Sequence, residues 1–269
     1  MKFTNFKING ESHAAVMDNG RWLDVSSLAS MEEIVSGKKI DISEKLPEIS
    51  GAEYANLFSK PVKLVCVGLN YRAHAENVNL KTSDVPILFS KFFNALVPSG
   101  AAVELPSWED SYDYEAELVI VMGKTAWNVS EEDAADYIFG YTAGNDFSVR
   151  RPQMASSQWL IGKTMPGFGP CGPCIVSADE FGSPDSGKQI KSFVNGELRQ
   201  NGSTADMIHS CSEIVSYASK FIRLEPGDLI FTGTPSGVNL EKKEKIWLKA
   251  GDLVEVEIEG IGTLSNRMV

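Results

Sequence analysis

Glu115 and Glu117 stand two residues apart in Asp113-Tyr-Glu-Ala-Glu-Leu-Val-Ile-Val-Met122, and the β-branched run that follows reads as a strand entering a core. Residues i and i+2 of a strand share a face, so both carboxylates point the same way. Like charges side by side at the edge of an interior are costly unless a cation or a proton neutralises them. A third carboxylate, Asp146, ends the apolar segment Gly140-Tyr-Thr-Ala-Gly-Asn-Asp146 at a Gly-Asn turn signal. Three carboxylates around one divalent ion leave a net −1 charge and open positions for water and substrate oxygens, which suits Mg²⁺ or Mn²⁺. A Glu-x-Glu pair on an exposed edge strand is the plain alternative, and the third acid weighs against it. The three histidines and four cysteines offer no competing soft-metal cluster.

His74 lies in Gly68-Leu-Asn-Tyr-Arg-Ala-His-Ala-Glu-Asn77, after a strand and before a polar stretch that reads as a lid. With Glu76 two residues on, it is placed to act as a general base on water; taken alone it is an ordinary surface histidine. Lys91, Arg150, Gln153 and Lys163 acquire meaning only if the fold gathers them.

Other chemistries are excluded by their missing parts. Gly162-Lys163-Thr164 ends like a phosphate-binding loop, but Ser157 stands where the upstream glycine is required. No G-x-G-x-x-G fingerprint and no G-x-S-x-G elbow occur. Cys171-Gly-Pro-Cys174 has a redox-type spacing, yet Ile175-Val-Ser177 follows it, so a strand is expected rather than the helix N-terminus that activates a thiol. Its role is read as structural.

Lysine and arginine number 25 against 36 acidic residues, a net charge of −11, which disfavours nucleic acid or an anionic membrane as partner. The N-terminus lacks an apolar signal core and no run is long enough to span a membrane, so a cytoplasmic location is expected.

The elements that must position these side chains are mainly strands. Residues 1–59 read as a small β-rich N-terminal domain with Asn9-Gly10 and Asn19-Gly20 hairpin turns and a short helical piece at Met31 to Val35; residues 60–269 form the larger unit that carries the chemistry. Ser130 to Asp133 is a capping-box pattern opening a helix to about Phe139. Apolar residues from Met207 to Ile222 recur at helical spacing, with His209 off the stripe as a partly exposed helix residue. Asn195-Gly196 marks another hairpin, Asp228 to Thr232 another strand, and Ile246 to Met268 a strand-rich tail. Strands outnumber helices without regular alternation, which predicts an α+β, strand-rich roll or barrel rather than a doubly wound sheet.

Cys66-Val-Gly-Leu-Asn-Tyr71, Asp113-Tyr-Glu-Ala-Glu-Leu118, Gly144-Asn-Asp146 with Ser148 and Arg150, Gly162-Lys163, Val194-Asn-Gly-Glu197, Leu224-Glu-Pro-Gly-Asp228 and Thr232-Gly-Thr-Pro235 together resemble the fumarylacetoacetate hydrolase family. The likeness runs in order from about residue 60 to the C-terminus. It implies a mixed β-roll catalytic domain, usually homodimeric, with one Mg²⁺ or Mn²⁺ per site held by Glu115, Glu117 and Asp146. It further implies that Lys163 faces metal and substrate, that Arg150 and Gln153 orient the substrate, and that Thr234 holds a substrate carboxylate or carbonyl. Members of the family act on 2-oxo and 2,4-dioxo acids, and in the hydrolases a His-x-x-Glu pair on the lid activates water. Here His74 matches the histidine, Asn77 occupies the glutamate position, and Glu76 is the nearest acid.

The expected function is therefore metal-dependent hydrolysis of a C–C bond in a short 2,4-dioxo, acylpyruvate-like acid, with His74, Glu76 and Lys163 catalytic. The alternatives are a tautomerase, isomerase or decarboxylase of a 2-oxo acid such as oxaloacetate, and a non-catalytic metal- or metabolite-binding protein.

Overall fold

The computed structural model describes residues 1–42, 45–78 and 81–269. The Asn-Gly turns act as expected: Asn9-Gly10, Asn19-Gly20 and Asn195-Gly196 each carry positive φ at both residues, as tight hairpin turns demand. The first two join β1 (Lys2–Ile8), β2 (Glu11–Asp18) and β3 (Arg21–Asp24) into a meander, followed by α1 (Met31–Val35) with a Ser30–Glu33 capping box.

Six longer strands carry the rest of the main sheet: β4 (Leu64–Gly68), β5 (Ile87–Lys91), β6 (Ala116–Met122), β7 (Ile138–Asn145), β8 (Gly169–Ser177) and, later in the chain, Leu229–Phe231. A second, five-stranded sheet contains β9 (Gln189–Val194) and β10 (Glu197–Ser203), and Leu229–Phe231 then follows as β11; β12 (Leu253–Ile258), β13 (Gly262–Met268) and the two-residue edge strand Ala102–Val103 complete the second sheet. The main sheet has twelve strands and runs β3-β2-β1-β8-β7-β6-β11-β4-β5 along its spine. Its pairings there are antiparallel except β11 with β4, which run parallel with Leu229 opposite Leu64. Neither sheet closes on itself, so the architecture is the expected strand-rich α+β roll, without a barrel. The N-terminal meander is part of the same sheet, through β1 on β8 with Lys2 opposite Val176.

Every residue of β6 is buried, because both faces of this strand are covered. Leu118, Ile120 and Met122 share a core with Val256, Ile258 and Leu264 of the second sheet and with Ile214 and Val215. Val119 and Val121 face the other way, into a core with Met31, Ile34 and Phe58 from the N-terminal segment. The alternation that sorts these residues also fixes the side on which Glu117 emerges. Gly144, in β7, fits only because it lacks a side chain: a Cβ there would lie 2.5 Å from Val119 Cγ2 and 2.7 Å from Phe231 Cε1. Gly144→Ala is expected to lower stability by about 1–3 kcal/mol through overpacking, which urea denaturation would show as a lower midpoint at unchanged slope.

Two helix expectations are corrected. Ser130 Oγ does accept from Asp133 N, but only a single 3-10 turn, Ala134–Tyr137, follows before Ile138 enters β7. The later helix is Cys211–Ser219, shorter than the apolar stripe. Its upstream residues are pulled straight because Asn70 Oδ1 accepts from His209 N and Ile208 N donates to Asn70 O. His209 is accordingly buried ahead of the helix, its ring between Glu213 Oε1 at 2.8 Å and Ser83 O at 3.1 Å. Cys171 and Cys174 lie in β8 as free buried thiols, and burial pushes Cys174 up to about 11. Among the described residues no helix is long and apolar enough to cross a membrane.

Candidate metal and active centre

The antiparallel pairing of β6 with β7 places Ala116 opposite Asn145, so the residues just beyond those ends, Glu115 and Asp146, meet. Two further bonds tie the junction: Asn145 Oδ1 accepts from Glu115 N at 2.9 Å, and Asp146 N donates to Glu115 O at 2.9 Å. Glu117 joins them from the same side of the strand. Carboxylate oxygens of Glu115, Glu117 and Asp146 all lie within 4.8 Å of one another, and all three residues are buried.

Cations surround this cluster. Lys163 Nζ bridges Glu115 Oε2 at 2.7 Å and Asp146 Oδ2 at 2.8 Å, and sits 5.3 Å from the ring centre of Phe89. Arg150 Nη1 reaches Glu115 Oε1 at 2.6 Å while its Nε donates to Asp113 Oδ2 at 2.8 Å. Lys91, read from sequence as an ordinary residue, is buried and pairs with Asp146 Oδ1 at 2.5 Å; it also donates to the carbonyls of Phe147, Phe168 and Lys163.

Two short helices deliver these groups. α3 (Arg150–Met154) starts four residues after Asp146, and α4 (Leu160–Lys163) packs against it at Gly162, where any Cβ would fall 2.4 Å from Gln153 Cβ. That contact lowers Lys163 into the site. Gln153 holds the guanidinium by accepting from Arg150 Nη1 at 3.0 Å. The buried Nη2 of Arg150 has no hydrogen-bond partner among the described residues, which leaves a donor for an anionic ligand.

The charges do not balance evenly over the three acids. Burial opposes ionisation of Glu115, but the adjacent Lys163 ammonium and Arg150 guanidinium prevail and hold its carboxyl well below the usual range. Burial and then the charges of Asp146 and Glu115 push Glu117 well above that range. Gly233 N donates to Glu117 Oε2 at 2.8 Å from a position with φ +94°, where a Cβ would lie 2.8 Å from Asn70 Cβ. Three buried carboxylates this close together mark a place where a divalent cation fits, and oxygen donors are the right donor set for Mg²⁺ or Mn²⁺.

Thr234 is in the cavity wall, but its hydroxyl donates to Ala116 O at 2.9 Å and accepts from Gln200 Nε2 at 2.7 Å. Gln200 Oε1 in turn accepts from Ala116 N and from Ser192 Oγ. Thr234 and Gln200 therefore fasten the carboxylate-bearing strand to the second sheet, and the Thr234 hydroxyl proton is already committed.

The cavity is walled by Phe89, Met154, Trp159 and Leu240, and His74 on α2 (Arg72–Asn77) lines it together with Glu115 and Glu117. Leu69, which leads into α2, has φ 55°, a strained value for a leucine and one held by the surrounding packing. Glu76 does not join His74: it is exposed, in a surface depression with Arg72, Asn201 and Asp206. The acid that meets His74 is Glu241, with Oε1 2.5 Å from His74 Nδ1. Sequence reasoning missed Glu241, Asp113 and Gln200. Glu241 stands in Glu-Lys-Lys-Glu-Lys, which reads as solvated surface. The one signal pointing elsewhere was a histidine without an acid three residues on.

The family model described as fumarylacetoacetate (FAA) hydrolase C-terminal matches residues 63–269. The oxaloacetate tautomerase fahd2, mitochondrial, of Xenopus laevis is 40% identical over 213 residues, which span 78% of this chain and 66% of that protein. The structure of fumarylacetoacetate hydrolase from psychrophilic Exiguobacterium antarcticum superposes with a TM-score of 0.92 at 33% identity, covering 100% of this chain and 99% of that one. Fumarylpyruvate hydrolase from Pseudomonas aeruginosa, solved in complex with Mn²⁺ and pyruvate, superposes with a TM-score of 0.70 at 33% identity over 86% of this chain and 94% of that one. The order of motifs, the roll and the carboxylate centre thus have one explanation: the chain belongs to the fumarylacetoacetate hydrolase family of enzymes.

Proposed function

We propose that this protein interconverts the keto and enol forms of a short 2-oxo dicarboxylic acid of the oxaloacetate kind, with Glu115, Glu117 and Asp146 holding Mg²⁺ or Mn²⁺. The observation that carries the reading is the buried triad of carboxylates that shares one cavity with an imidazole. The name of the Xenopus relative supports the same chemistry. When bound, the ion supplies Lewis-acid polarisation of the 2-oxo group.

The chain's own residues account for the remaining requirements. Arg150, through its unpartnered Nη2, binds the substrate carboxylate; Gln153 keeps the guanidinium in plane with it. His74 takes a proton from C3 and returns it to oxygen, or the reverse. Lys163, whose ammonium is kept charged by Asp146 and Glu115 despite burial, stabilises negative charge developing on the enolate oxygen. Phe89, Trp159 and Leu240 keep bulk water from the reacting carbons.

Hydrolysis of a 2,4-dioxo acid is the second reading. It is favoured by the His74–Glu241 pair, which could activate water, and by the likeness to fumarylpyruvate hydrolase. The discriminating experiment follows oxaloacetate enol decay and 2,4-dioxo acid cleavage with Mn²⁺ in ¹⁸O-labelled water, for the native protein and Glu117→Gln. Accelerated enol decay without fragments, reduced roughly 10²-fold or more in the variant, is the expected result. Two fragments, one with a labelled carboxylate, would replace tautomerisation by hydrolysis; CO₂ release would replace it by decarboxylation.

A further inference from the structure

We propose that the cavity lined by Glu115, Glu117 and Arg150 also interconverts the keto and enol forms of 2-oxo acids that carry an apolar tail, aryl or branched alkyl, and that Leu69 is the residue that receives the tail. The inference rests on the reading above for its reaction and extends the class of substrate.

Left-handed backbone in this chain falls on asparagine, with one exception. Among the described residues, five that are not glycine have positive φ: Asn9, Asn19, Asn128, Asn195, and Leu69 at 55°. Asparagine enters that region readily and leucine does not. Leu69 follows Gly68 at the end of β4 and lines the cavity. No hydrophobic core among the described residues includes its side chain, so packing in the interior does not account for a leucine there. Strain kept at a cavity wall points to a ligand as the partner of that side chain.

Leu69 is also in apolar company. Val78, Met154, Trp159 and Leu240 line the same cavity, and none of them belongs to a described core either. Phe89 stands edge-on to Trp159, with ring centres 5.5 Å apart and planes at 74°. The polar lining offers the complementary chemistry. Arg150 Nη2 is buried without a hydrogen-bond partner among the described residues, whereas Lys163 is engaged by Glu115 and Asp146. An orphaned guanidinium donor suits a carboxylate. The apolar wall suits a tail without charge, because a second carboxylate laid on it would lose water and gain no partner. A short diacid uses the polar groups alone; an acid with an apolar tail uses the wall as well.

The chemical step is the same as for the diacid. The C3–H bond breaks, its electron pair forms the C2–C3 double bond, and the 2-oxygen gains a proton; nothing is oxidised or reduced. His74 carries the proton and Lys163 stabilises the developing negative charge.

The test compares native protein with Leu69→Asn, which suits a backbone at φ 55° and replaces the apolar surface by an amide, so its Tm is expected to be no lower than native. Ketonisation of the enols of phenylpyruvate and oxaloacetate is followed with Mn²⁺. Native protein is expected to accelerate both, and Leu69→Asn to lower the ratio of kcat/KM for phenylpyruvate to that for oxaloacetate by roughly tenfold or more. Calorimetric titration without added metal ion uses 3-phenylpropanoate and succinate as unreactive probes. The aryl acid is expected to bind native protein roughly tenfold or more tighter than the diacid, a difference lost in Leu69→Asn. The native arms of both experiments stand without the variant.

Turnover of oxaloacetate without phenylpyruvate, or a ratio and a binding difference that Leu69→Asn does not move, overturns the inference and leaves the reading above intact. Turnover of phenylpyruvate without oxaloacetate supports the inference and removes the diacid from that reading. Turnover of neither acid overturns both.

Discussion

Asp146→Asn should abolish stabilisation by Mn²⁺ and reduce turnover by roughly 10²-fold or more. A ligand present at a hundred times its Kd adds about 2.7 kcal/mol to stability, which for a chain of this size is about 5–10 °C in Tm. The variant should show a metal-induced shift under about 1 °C. The apo protein should also weaken, because Asp146 neutralises both Lys91 and Lys163. Breaking a buried pair costs about 3–5 kcal/mol, but Lys91 keeps three carbonyl acceptors and Lys163 keeps Glu115, so the lower end of that range applies. Thermal scans of apo and Mn²⁺-loaded protein separate the two effects. A variant that retains the native Mn²⁺ shift would remove Asp146 from the ligand set.

Arg150→Met is the substitution with the largest structural consequence. The guanidinium lies between two buried carboxylates, Asp113 and Glu115, and its own charge is upheld by them against burial. Methionine fills much of the volume and leaves both acids without it. Asp113 retains three backbone donors, from Tyr114, Asn239 and Leu240, and Glu115 retains Lys163, so the cost should stay near 3–5 kcal/mol rather than exceed it. That corresponds to a drop of about 10 °C in Tm. Arg150→Lys should recover part of the stability but not substrate affinity, since one ammonium cannot serve Asp113, Glu115, Gln153 and a substrate carboxylate together. Differential scanning calorimetry with KM measurements on both variants checks this; Arg150→Met melting within 2 °C of native would show that the paired charges contribute little.

The readable and unreadable parts of this site differ by the range of the interactions that build them. Glu115 and Glu117 were legible because strand period two acts over a few residues, and Asp146 because it ends an apolar segment, although Gly144 and Asn145 continue β7 rather than turn. The hairpins were legible for the same reason: an Asn-Gly pair contains its own geometry. Helix length failed at Met207 to His209 because Asn70, far away in sequence, captures those backbone groups. Local periodicity cannot report such competition. Lys91 looked ordinary for the same reason, since its four acceptors come from Asp146, Phe147, Lys163 and Phe168. Glu241 was invisible because its value lies wholly in what α2 brings to it, and its lysine-rich neighbours suggest solvent. The motif resemblance supplied the gathered positions of Lys163, Arg150 and Gln153, and the contacts of Gly162 show physically how the gathering is achieved.

The strand order has a temporal consequence. β11 lies between β6 and β4, which precede it in the chain by more than a hundred residues, and the segment just after it supplies Gly233 to Glu117 and Glu241 to His74. As the chain leaves the ribosome, the three carboxylates are made first, yet the strand that separates β6 from β4 and completes their surroundings arrives only after Leu229. Closing so long a loop is slow and is rewarded only when the whole sheet zips. Competence to hold a divalent ion and to move a proton should therefore appear together, once the segment through Glu241 has joined the sheet, and a chain cut before Leu229 should have neither.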